Sequence, residues 1–135
     1  MRLQLFLVAM LAAACHTDVP MSSSASELPR ITVTSEGGIT GRGVGGIVVA
    51  DGQVTATLAQ KSCSGPLTDS ERSKLQALVP IRDSNAEGHG HPDQIKYTLT
   101  AGDRTASWYG EDAPNEIAPL FQRLWQIRQR VLANC

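Results

Sequence analysis

The spacing of apolar residues divides the chain into segments of two different periods. Over 31–36 the run ITVTSE sets Ile31 and Val33 on one side and Thr32 and Thr34 on the other, which predicts a strand stopped at Gly37-Gly38. Two glycines can supply the positive φ of a tight turn. In the run GIVVADGQVTATLA, Asp51-Gly52 separates 47–49 from Val54, Thr55 and Thr57, a strong hairpin signal. The period then lengthens. Thr68 followed by Glu71 is a capping-box pair, Leu75, Leu78 and Val79 share a helical face, and Pro80 marks the stop. From Gln94 the period returns to two, with Ile95, Tyr97 and Leu99 on one face and Lys96, Thr98 and Thr100 on the other. Gly102-Asp103 is the turn into RTASWYG, whose Trp108 and Tyr109 point to opposite faces; each is expected to pack against a helix, the alternative being that the exposed one of the pair serves recognition.

The chain closes with EDAPNEIAPLFQRLWQIRQRVLANC. Asp112 or Asn115 is expected to cap this helix, and Pro119 belongs in its first turns, because deeper it would remove a hydrogen bond. Ile117, Leu120, Phe121, Leu124, Ile127, Val131 and Leu132 form a wide apolar stripe, with Arg123, Arg128 and Arg130 mostly outside it. Charges interrupt the helix throughout, so it reads as a cover for a sheet and not as a membrane span. Three strands, a helix, a hairpin and a long helix predict an α+β domain: a mostly antiparallel sheet of four to five strands with two helices packed on one face.

The first residues read as an address. MRLQLFLVAMLAAAC has one basic residue, Arg2, a largely apolar run over 3–10 and small residues leading to Cys15, the pattern of a secretory signal peptide over 1–14. A cysteine directly after Ala12, Ala13 and Ala14 resembles the bacterial lipobox, which implies cleavage before Cys15 and lipidation of its thiol. His16 in the next place is not the inner-membrane sorting aspartate of enteric bacteria, so the expected location is the cell envelope, anchored in the outer membrane. Residues 15–29, poor in large apolar side chains and rich in serine, read as a flexible tether, and 30–135 as one small domain.

Loss of 1–14 removes Arg2 and no acid, taking the net charge from −1 to −2. Lysines and arginines are scattered, which argues against a nucleic-acid partner. In an exported domain Cys63 and Cys135 are expected to pair, tying the C-terminal end to the middle of the chain. The alternative is two free thiols, one buried and one at the terminus.

Gly41, Gly43 and Gly46 have the spacing G-x-G-x-x-G. A dinucleotide loop of that form follows a strand and opens a helix. Here Gly46 opens a strand, so the glycines are assigned to a turn, a bulge or a protruding loop. His89-Gly90-His91-Pro92-Asp93 could offer two imidazoles and a carboxylate to a metal, but the sequence shows no further ligands, and a solvated loop is the expectation. No cofactor is implied. The domain's histidines lie together in that loop with no nucleophile motif, which argues against an enzyme and in favour of a monomeric binding module built on a presented loop.

Ser35-x-Gly37-Gly38-Ile39, Tyr97-x-Leu99-Thr100, and Ala113-Pro114 followed by Leu120 resemble the emfourin family of protealysin inhibitors, over residues 30 to 132. The lipobox, the tether and the cysteine pair are additions to that compact pattern. The resemblance implies a small protein that blocks thermolysin-like zinc metalloproteases, here a secreted or periplasmic one. The loop over 35–46 would then enter or obstruct the substrate cleft. Its candidate contacts are Ser35, Glu36, Gly37, Gly38, Ile39 and Arg42. Glu36 would face the zinc or the cleft rim, unless it is an ordinary strand-end charge; Ile39 would fill an apolar pocket, unless it is a core side chain. The competing expectation is a non-catalytic envelope lipoprotein that binds a partner protein or cell-wall component through the open sheet face.

Overall fold

The period-two segments pair into one sheet. The computed structural model describes residues 27–85 and 93–135. Its strands are β1 (Ile31–Gly37), β2 (Gly46–Ala50), β3 (Gln53–Leu58), β4 (Lys61–Pro66), β5 (Ile95–Ala101) and β6 (Arg104–Tyr109), in the spatial order β4-β3-β2-β1-β5-β6. Every neighbouring pair is antiparallel. Helices α1 (Asp69–Leu78) and α2 (Ala118–Ala133) complete the α+β fold.

The register explains the core. One residue per strand, in the row Cys63, Ala56, Ile47, Val33, Leu99 and Ala106, stands side by side on the helix-bearing face, and all six are buried. Leu75 of α1 and Leu120, Leu124 and Ile127 of α2 close over that face. Burial of each such aliphatic side chain stabilises by about 1.5–3 kcal/mol. The other face is lined by hydroxyls. Ser64, Thr55, Val48, Thr32, Thr100 and Thr105 form one row across it, and Thr34, Thr98 and Ser107 belong to the next.

Among the described residues the sheet has six strands, one more than the four to five expected. The extra one is β4, KSCSGP, whose serines, glycine and proline give no strand signal. It forms because the two-residue turn at Ala59-Gln60 folds it back on β3 at the sheet edge, where Pro66 at its end costs little in pairing. At the opposite edge Ser84 bridges to β6: its amide donates to the Thr105 carbonyl at 3.1 Å and its carbonyl accepts from the Ser107 amide at 3.0 Å. Asp83 holds the same segment, accepting from the Thr105 amide at 2.8 Å and from Arg104 at 3.2 Å.

The capping box of α1 is present: the Glu71 amide donates to the Thr68 hydroxyl at 3.1 Å and the Thr68 amide to the Glu71 carboxylate at 3.0 Å. The start of α2 differs from expectation. Neither Asp112 nor Asn115 caps it; Ile117 occupies the cap position without a side-chain bond, and the Ile117 and Ala118 amides both donate to the Pro114 carbonyl at 2.8 Å. Pro119 lies in the first turn, where its missing donor is not needed. Trp108 is buried under α2, whereas Tyr109, one residue on, is half-buried on the hydroxyl-lined face beside Lys96, where no helix of the described residues packs. Cys63 and Cys135 form a disulfide across 72 residues, with Cα atoms 6.1 Å apart. Among the described residues, no helix is long and apolar enough to cross a membrane.

Candidate functional site

One end of the sheet gathers the β1–β2 loop, the β3–β4 turn and the segment entering β5. The loop is held by its own backbone. The Ser35 hydroxyl donates to the Gly45 carbonyl at 2.6 Å and accepts from the Val44 amide at 2.9 Å, so one side chain clasps both legs. The Gly43 amide donates to the Gly37 carbonyl at 2.9 Å, and the Gly38 amide to the Gln94 carbonyl at 3.2 Å, which fixes the first leg to the entry of β5.

Glycine is required where the legs meet. At Gly43, with φ of +66°, a Cβ would stand 2.5 Å from the Ser35 carbonyl oxygen, and at Gly45, with φ of +88°, it would collide with the Thr57 carbonyl oxygen. These glycines serve close packing, and Gly46 opens β2 as expected of a chain without a nucleotide loop.

The clasped legs carry an exposed tip. Ile39 is 96% exposed, so it is not a core side chain, and Thr40 and Arg42 beside it are exposed as well. Leu58, at the end of β3 on the same end of the sheet, is the other large apolar side chain exposed among the described residues, at 45%. Between the tip and the β3–β4 turn lies a hollow of about 590 Å³, lined by Thr40, Arg42, Gly43, Gly45, Ala59 and Gln60.

The candidate residues thus separate by role. Ile39 and Arg42 are presented to solvent, Glu36 is exposed on the hydroxyl-lined face 3.9 Å from Lys96, and Gly37 and Gly38 shape the turn. Ser35 is half-buried and its hydroxyl is engaged in the clasp, which braces the loop. Cys15, His89 and His91 lie outside the described residues, and among those described no group of three or more His, Cys, Asp or Glu could hold a metal ion.

Beneath the loop stands an arginine of α2 that the apolar stripe of that helix leaves outside. Arg128 of α2 is only 5% exposed. Its Nε donates to the Thr57 carbonyl at 3.1 Å and the Gly46 carbonyl at 3.3 Å, and its Nη2 to the Thr57 and Val44 carbonyls at 2.7 and 2.5 Å. The guanidinium carbon lies 4.4 Å from the centroid of the Trp125 ring. No carboxylate of the described residues pairs with it. Burial lowers its pKa, with the nearby Tyr97 opposing. Tyr97 belongs to an aromatic cluster with Trp108, Phe121 and Trp125, ring centroids 5.0–5.7 Å apart. Burial and then the charge of Glu111 raise the Tyr97 hydroxyl above its ordinary value, Arg128 acting the other way. A helical count would have signalled Arg128, since 124, 128 and 131 fall on one face.

No known protein family, curated protein or solved structure matches this chain.

Proposed function

We propose that this chain is a lipid-anchored protein inhibitor of thermolysin-like zinc metalloproteases, with the β1–β2 loop as its inhibitory element. The observation that carries the reading is Ile39, almost fully exposed at the tip of a loop whose legs are locked by the Ser35 clasp and by glycines in close approach. An apolar side chain on a preorganised loop enters a protease subsite with little ordering cost. The same locking resists the backbone rearrangement that cleavage requires. Arg42 and Glu36 flank the tip as rim contacts, and the resemblance to emfourin supplies the protease class.

The Cys15 thioether would place the domain on the envelope surface, with 15–29 as tether, so that it meets a secreted or periplasmic protease there. Cys15→Ser is expected to move the protein from the membrane fraction to the soluble fraction; retention of the variant in the membrane would remove the lipid anchor from the account. The inhibitor reading is tested by titrating the full chain into a thermolysin-like protease hydrolysing a peptide substrate. Stoichiometric loss of activity with the chain left uncleaved is expected. Unchanged activity at high excess, the host's own protease of this class included, would sink the reading.

The hydroxyl-lined face favours a second reading, an envelope lipoprotein that binds a partner protein or cell-wall component there. Thr32, Thr34, Thr98 and Thr100 are not buried, and among the described residues no helix covers them. That reading predicts stable envelope co-purification partners lost on charge substitution at Thr34 and Thr98, with no effect on any protease.

A further inference from the structure

We propose that Arg128 is the positioning residue of the inhibitory loop: from inside the domain it sets the geometry in which Ile39 is presented. The inference rests on the inhibitor reading for its functional consequence, though not for the geometry.

A buried charge without a carboxylate must be balanced by dipoles. Here the balance is three backbone carbonyls and one indole face. Those carbonyls are not arbitrary. Val44 lies in the second leg of the loop, Gly46 opens β2, and Thr57 stands where β3 runs into the β3–β4 turn. One planar guanidinium therefore joins two connections that have no covalent link at this end of the sheet. Between them lies the hollow beside Arg42, so the same contacts fix its width.

The sequence of contacts runs from the helix to the tip. Trp125 supports the guanidinium, the guanidinium holds the Val44 carbonyl, the Val44 amide is held by Ser35, and the Ser35 hydroxyl also binds Gly45. Arginine suits this place because its fork delivers several donors in one plane while stacking on an aromatic ring. A lysine would bring one ammonium, unable to span the three carbonyls with the same planar geometry.

The test compares the full chain with Arg128→Met and Arg128→Lys, using amide exchange, thermal unfolding and protease titration on each. In Arg128→Met the Val33 and Leu99 amides of the core should keep their protection, while the Gly43, Val44 and Gly46 amides should lose at least about tenfold. Inhibition should weaken by at least about tenfold, with Arg128→Lys between the two. Adding Ile39→Ala to Arg128→Met should cost less than Ile39→Ala alone, because the tip is already misplaced. Should Arg128→Met not fold, Arg128→Lys decides by the same loop amides. Wild-type loop protection in a folded variant overturns the proposal, and so does a loosened loop with undiminished inhibition. If the wild-type chain inhibits no protease, the inhibitor reading falls by itself; loss of exchange protection confined to the loop would still establish Arg128 as its positioning residue.

Discussion

Ile39 stands in solvent because the loop below it has no room to fold inward: Gly43 and Gly45 already bring backbone against backbone at Ser35 and Thr57. Its removal should therefore be invisible to stability. Ile39→Ala is expected to change the unfolding free energy by less than about 0.5 kcal/mol, as for other exposed sites, and thermal unfolding checks this. Gly43→Ala is the converse, a small change where none fits. Strain at positive φ and the clash with Ser35 should cost about 1–3 kcal/mol and lower the melting temperature. In the sequence, the strand ends and the glycine spacing are legible, but the fate of Ile39 is not. A loop has no period, so nothing there distinguishes a core isoleucine from a presented one. Arg128 was hidden for the opposite reason: composition assigns an arginine to the surface, and only the helical count places it inward.

At the scale of elements, α1 and α2 are joined by one carboxylate. Glu71 caps α1 through Thr68 and also accepts from Arg130 of α2 at 2.6 and 2.8 Å. Burial raises its pKa, but the Arg130 and Thr68 hydrogen bonds together with the Arg130 charge outweigh that and hold it below 4.5. The sign follows. A group whose pKa is lower in the folded state contributes its stability fully above its unfolded value, and loses it as the pH falls from about 4.5 through the lower folded value. Glu71→Gln should cost about 1 kcal/mol at neutral pH and progressively less in acid, read as melting temperature against pH. A constant difference between pH 7 and pH 2 would contradict the pairing. The capping box was legible because its residues are neighbours in sequence. The Arg130 contact was not, nor was β4, since both depend on partners that only the folded chain brings close.

For the whole molecule, the disulfide links the edge strand to the end of the closing helix, joining cysteines 72 positions apart in sequence. In the chain-entropy picture such a link stabilises by about 4 kcal/mol. Cys63→Ser combined with Cys135→Ser should lower the unfolding free energy by that order, measured by denaturant titration. A difference below about 1 kcal/mol would mean that sheet and helices hold without it. Period-two and helical patterns suffice to read the layer order, with helices on one face and hydroxyls on the other, because register repeats the same alternation in each strand. They do not reveal that three connections converge at one end and present a single locked tip. That convergence makes the loop the central claim. The most direct test is a paired titration of one thiol-free thermolysin-like protease with the wild-type full chain and with Ile39→Asp, both shown to melt at the same temperature. The account predicts stoichiometric inhibition by the wild type and a loss of at least about a hundredfold in the variant, the consequence of forcing a charge into an apolar subsite. Equal inhibition by the two proteins would contradict it.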